Sequence, residues 1–72
     1  MNLSELIVQT RKAAGLTQQQ LAELAGVGKT VVWDLENGKT TVRYETLVRV
    51  LRALNIRVTA KSPMCKEEVQ LT

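Results

Sequence analysis

The stretch from Gly15 to Thr40, GLTQQQLAELAGVGKTVVWDLENGKT, leaves this chain few ways to fold. It reads as two short helices joined by a tight glycine turn. Thr17 followed three residues later by Gln20 has the form of a capping box. Leu16 and Leu21 flank it as a hydrophobic staple that fixes the angle at which the chain enters the helix. Gly26 ends that helix, because glycine takes the left-handed conformation without strain. Val27 and Val32 repeat the staple for a second helix from about Lys29 to Glu36, with Gly28 as a weaker cap, and Asn37-Gly38 marks the next turn.

Each position in this unit meets a steric need. Counted from Gln18, the fifth residue, Ala22, is small, as close helix crossing requires, and the ninth, Gly26, supplies the turn. Leu21, Ala25, Val27, Val32 and Leu35 point inward and hold the two helices at a steep angle. A plain helical hairpin shows the glycine or the apolar spacing, but rarely both with a capping box at the right end. The pattern is that of a helix-turn-helix, in which one helix braces another that can lie in a DNA major groove.

The flanking sequence supplies a scaffold. Asn2 followed by Glu5 starts a helix predicted over Leu3 to Ala14, with Leu3, Leu6, Ile7, Thr10 and Ala14 on one face and Gly15 as its stop. Another helix is predicted from Tyr44 to Leu54, burying Leu47, Val50, Leu51 and Leu54, with Arg43, Arg49 and Arg52 at its start or on its wetter sides and Asn55 just past its end. Ile56 to Lys61 then alternates with the period of a strand, and Pro63 ends it. Met64 to Thr72 shows no clear period and reads as a mobile tail.

A lone strand in a helical chain lacks a partner, and an unpaired edge is costly or sticky. The simplest remedy is pairing with the same strand of a second copy about a two-fold axis, through Ile56, Val58 and Ala60. The bland alternative is a frayed extended tail. The expected architecture is therefore all-α: a compact domain of four to five helices over residues 1–55, a dimerisation strand over 56–61, and a flexible tail over 62–72.

Composition narrows the function. At 72 residues the chain sits near the lower limit for an independent core, which also favours dimerisation. The 44% apolar content argues against disorder. No apolar run approaches the ~20 residues of a membrane span, and the N-terminus lacks the layout of a signal peptide, so a cytoplasmic location is expected. With one cysteine, Cys65, and no histidine, a zinc site or a histidine-based catalytic constellation is not available. No acid/base pair of carboxylates is recognisable, so neither an enzyme nor a cofactor or metal is expected. The net charge is +3, and it divides into +4 over residues 1–61 and −1 over 62–72. That fits a polyanionic partner without demanding one.

The segments GLTQQQLAELAGV and LENGKT, within a helical context covering residues 3–54, resemble the Xre-type helix-turn-helix family, to which the lambdoid phage repressors belong. The added IRVTAK strand looks most like the HipB-like antitoxin branch. The resemblance implies a lambda-repressor-like fold, a homodimer paired through a short C-terminal strand, and a DNA-binding repressor. For the antitoxin branch it implies a HipA-like kinase toxin as a further partner. It also implies that Arg11 and Glu36 pair between the first helix and the end of the third, holding the recognition helix on the scaffold.

On a helical wheel Lys29, Thr30, Trp33 and Asp34 share the face turned away from Val32 and Leu35. Lys29 can donate to guanine, Thr30 can bond a base or phosphate, and Asp34 can accept from cytosine N4. Family members commonly read bases from the positions matching Lys29, Thr30 and Asp34. Trp33 either contacts the duplex or covers a neighbouring helix. Thr17, Gln18 and the first-turn amides of their helix form an anion site, while Lys39, Thr40 and Arg43 would grip the backbone on the other side. A competing reading keeps the scaffold without DNA binding, with Trp33 and Val31 in an apolar docking patch. No small-molecule ligand is expected on either reading.

Overall fold

The helices of this chain all end in the same way, and that shared ending sets most of its path. In the computed structural model, which describes residues 1–72, they are α1 (Leu3–Ala13), α2 (Gln18–Ala25), α3 (Lys29–Glu36) and α4 (Tyr44–Ala53). Just past them come four residues in the left-handed conformation, Gly15, Gly26, Gly38 and Asn55. The next amide in each case donates five residues back: Leu16 to Arg11, Val27 to Ala22, Lys39 to Asp34 and Ile56 to Leu51, at 2.9 to 3.1 Å. This is the Schellman arrangement, which satisfies carbonyls that would otherwise lack a donor and turns the chain sharply. At Gly26 the demand is conformational only, since a Cβ built there meets no atom within 4 Å. Leu16, Val27 and Ile56 follow their turns and pack on the core. After α3 the corresponding residue is Lys39, the one charged member of the set.

The helix starts follow the sequence closely. Thr17 Oγ1 accepts from the Gln20 amide at 3.0 Å and Gln20 Oε1 accepts from the Thr17 amide at 2.8 Å, so the capping box of α2 closes in full. Asn2 caps α1 with one bond from the Glu5 amide. Gly28 and Arg43 precede α3 and α4 without a side-chain cap.

Ile7, Leu21, Ala22, Val32, Leu35, Val50, Leu51 and Leu54 form the core, with Leu16, Ala25 and Val27 packed against it. α3 packs on α1 and α2, and α4 on α2. Ala22 is fully buried, which is why a small residue is needed there. Two details depart from the wheel. Leu3 and Leu6 keep 43% and 37% of their surface, so Ile7 alone anchors α1 in the core. In α4, Val48 is buried where Leu47 is only half-buried.

The C-terminal region differs most from expectation. The strand is shorter than Ile56 to Lys61 and is not alone: β1 (Thr59–Lys61) pairs antiparallel with β2 (Glu68–Gln70), placing Ala60 opposite Val69. Leu71 N donates to Val58 O at 2.7 Å and Val58 N to Thr72 Oγ1 at 3.0 Å, so the pairing continues beyond the strands. Residues 68–70, read as part of a mobile tail, thus supply a partner strand from within the chain. Ile56 and Val58 are half-buried against the protein's own core, and only Ala60 of the proposed dimer set is exposed. The alternation at 56–61 reflects packing at home before any contact with a second copy.

Candidate nucleic-acid interface

α3 is held from below by Val32, which is fully buried, and Leu35, at 6% exposure. Its opposite face is open. Lys29 and Thr30 are exposed, Trp33 keeps 53% of its surface, and the three line one shallow hollow. Asp34 sits at the edge of this face, half-buried. Val31 is also half-buried and packs on the core, which shrinks the apolar docking patch that it would form with Trp33.

Position along the face is fixed by a polar lock. Arg11 Nε donates to Glu36 Oε2 at 2.7 Å and Nη2 to Oε1 at 3.0 Å, a two-pronged pair between α1 and the last residue of α3. Nη1 of the same guanidinium donates to Leu16 O at 2.9 Å, tying in the turn before α2. Both side chains are largely removed from water, at 12% and 5% exposure. The hydrogen bonds that Arg11 donates to Glu36 raise the Arg11 pKa above its ordinary value; desolvation opposes the shift and the Glu36 charge adds to it. The guanidinium is charged throughout the range in which proteins fold.

Gln18 joins this lock: its Nε2 donates to Glu36 Oε1 at 3.2 Å. One N–H of its side-chain amide therefore has an internal partner, and the other remains available to an anion. Thr17 Oγ1 accepts and its amide donates within the capping box, which leaves the hydroxyl proton free to donate. The amides of Gln18 and Gln19, first in α2, have no helical carbonyl behind them. On the far side of α3, Lys39, Thr40 and Arg43 are all exposed. Lys39 Nζ lies 3.3 Å from Asp34 Oδ2, a contact that the sequence pattern did not reveal.

Charge at the helix starts separates two kinds of helix. α1 and α4 carry an acidic residue in the first turn, Glu5 and Glu45, as the helix dipole favours. α2 and α3 carry none, and α3 even begins with Lys29. The two helices of the candidate interface thus leave their positive ends uncompensated. Tyr44, the first residue of α4, belongs beside Arg43 in this description. It and Trp33 are the chain's only aromatic residues, and both are more than half exposed. An exposed aromatic pair in a domain whose core contains no ring was the available signal for Tyr44.

No group of three or more His, Cys, Asp and Glu side chains is placed to hold a metal ion, and no helix is long and apolar enough to cross a membrane.

The family described as Helix-turn-helix (HTH_3) matches residues 7–60, from the middle of α1 into the first strand. The chain belongs to the Helix-turn-helix family. Within that family it is 34% identical over 62 residues to an uncharacterized HTH-type transcriptional regulator, y4mF, of Sinorhizobium fredii, covering 86% of this chain and 82% of that protein. The crystal structure of the restriction-modification controller protein C.AhdI from Aeromonas hydrophila is similar at a TM-score of 0.67 and 30% identity, over 75% of this chain and 82% of its own. A chain of the HipA-HipB-O2-O3 complex matches at a TM-score of 0.74 and 23% identity, over 85% of this chain and 86% of that one, a likeness of fold. This Helix-turn-helix chain is a transcriptional regulator at the level its relatives share, and its fold is lambda-repressor-like with a C-terminal hairpin.

Proposed function

We propose that this protein is a sequence-specific DNA-binding repressor that acts as a homodimer on a palindromic operator. The observation that carries the reading is the open Lys29–Thr30–Trp33 face on a helix whose other side is locked into the scaffold. A rigid helix with donors and a ring on its outer side fits the major groove, where base edges differ in their donor and acceptor patterns. Lys29, Thr30 and Trp33 read bases in this proposal. The first amides of α2, with Lys39, Thr40 and Arg43, hold phosphates on either side. The missing acidic residues at the starts of α2 and α3 support this, because a phosphate there takes the place of a carboxylate.

The test is a base-by-base scan of operator affinity. Lys29→Ala or Thr30→Ala is expected to cost about 1–3 kcal/mol and to relax preference at particular base pairs. Arg43→Ala should weaken all sequences alike. Equal losses on operator and random DNA for Lys29→Ala would remove base reading from this helix.

One protomer makes few contacts, whereas two recognition helices ~34 Å apart read both halves of a palindrome. The hairpin offers the means of pairing, since each strand of a two-stranded sheet keeps one open edge and Ala60 and Val69 form an exposed apolar pair. Ala60→Asp is expected to shift dimer to monomer in sedimentation equilibrium without loss of the fold. An unchanged dimer would place the interface elsewhere. Val58→Asp is a poorer reporter, because Val58 packs on the protein's own core.

The role of antitoxin to a HipA-like kinase toxin is proposed on the shared fold with the HipA-HipB complex. Control of restriction-modification genes is the second reading, favoured by the 30% identity to C.AhdI. The gene adjoining this one separates them: a kinase-like toxin for the first, a restriction enzyme or methyltransferase for the second.

A further inference from the structure

We infer that Asp34 is a positioning residue that holds Lys39 towards the DNA backbone and does not itself read a base; this rests on the DNA-binding reading above. The Schellman turn brings the residue after Gly38 back over the residue five earlier, and Lys39 N donates to Asp34 O at 3.0 Å. Such turns usually close on an apolar contact between those two residues. Those of α2 and α4 have the residues for it, Val27 with Ala22 and Ile56 with Leu51. α3 is the one helix here with a charged residue of opposite sign at both places, Asp34 and Lys39.

The result is a lysine tied at both ends to one residue, through its backbone amide and through Nζ at 3.3 Å from Asp34 Oδ2. Exposure divides the roles. The Asp34 side chain keeps 19% of its surface and the Lys39 side chain 52%. The carboxylate is thus the inner member and the ammonium the outer one. A half-buried carboxylate whose oxygen already holds an ammonium is poorly placed to seek cytosine N4. Unmasked, it would also repel phosphates. With Lys39 upon it, the edge of α3 presents a positive group. Asn37 supports the arrangement, its Nδ2 donating to Trp33 O at 2.7 Å and closing the same last turn.

The closing experiment is a double-mutant cycle on the full chain, using Asp34→Asn, Lys39→Ala and both together. Each protein is titrated with operator and random duplex at 50 mM salt, with thermal melting to verify the fold. An ion pair whose ammonium lies in solvent contributes too little for its loss to unfold the domain. The expected result is that Asp34→Asn weakens operator and random duplex alike, by about three- to tenfold, and leaves the preference at every base pair unchanged. In the Lys39→Ala background the same change should bring no further loss, because only repulsion is removed there. A changed preference at a single base pair would overturn the inference and return Asp34 to base reading. An equal effect of Asp34→Asn in both backgrounds would overturn it by showing no coupling. A wild-type protein that ignores duplex DNA at this salt overturns the DNA-binding reading and the inference with it, whereas the other two outcomes leave that reading intact.

Discussion

Replacing Glu36 by alanine is expected to cost about 3–5 kcal/mol of folding stability, because it leaves the Arg11 guanidinium buried without its counter-charge. The penalty comes from the partner left behind more than from the pair itself. Arg11 keeps only its bond to Leu16 O, and Gln18 loses the acceptor for its amide. A domain of this size has roughly 4–11 kcal/mol of stability in total, so one substitution consumes much of it. Urea unfolding measures the loss as a fall in the midpoint at unchanged slope. Glu36→Gln keeps an oxygen facing Arg11 and should cost less than the alanine. A loss below about 1 kcal/mol for Glu36→Ala would class the pair with exposed ones. DNA binding should fall together with the folded fraction, since the lock orients α3 and does not reach its outer face.

The pH dependence of this lock has a defined sign from the arginine side. The Arg11 pKa is raised in the folded protein, so the stability it contributes is complete below arginine's ordinary value and is lost only as pH climbs through the still higher folded value.

How much of this was legible in the sequence depends on the range of the interaction. Helix starts and stops at Thr17, Gly26, Gly38 and Asn55 are local, each decided within five residues, and the structure places them where capping rules do. The open face of α3 was legible because a single helix sets which side chains share a side. The hairpin was not. Its second strand, Glu68–Gln70, is three residues long, with Val69 its one apolar residue and Leu71 just beyond its end. Its partner lies across the loop that contains Pro63, beyond the reach of a local pattern. The Asp34–Lys39 contact escaped for a related reason. Both residues read singly as exposed polar groups, and only the path of the turn after Gly38 brings them together. Gln18 shows the same limit, since its bond to Glu36 crosses from α2 to the end of α3.

Raising salt from 50 to 200 mM is expected to weaken operator binding by about two orders of magnitude, and the slope counts protomers. The cations proposed to hold phosphates are Lys39 and Arg43, two in one protomer and four in a dimer. Each phosphate neutralised releases a condensed counterion, so log affinity falls with log salt at a slope of about −0.9 per contact. Four contacts give a slope near −3.6 and a loss of about 150-fold over this fourfold rise in salt. Two contacts give a slope near −1.8 and a loss of only about twelvefold. Fluorescence anisotropy with operator and random duplex across this range separates the cases without any mutation. A steep slope on both duplexes, with tighter binding to operator, is the result the dimeric repressor requires. The shallower slope would mean that one protomer binds alone and that the hairpin does not pair copies. Negligible affinity for either duplex at 50 mM would leave the exposed indole of Trp33 as part of a protein-docking surface instead. Arg43→Ala gives an internal check, lowering the dimer's slope by about 2 because the residue is lost from both protomers.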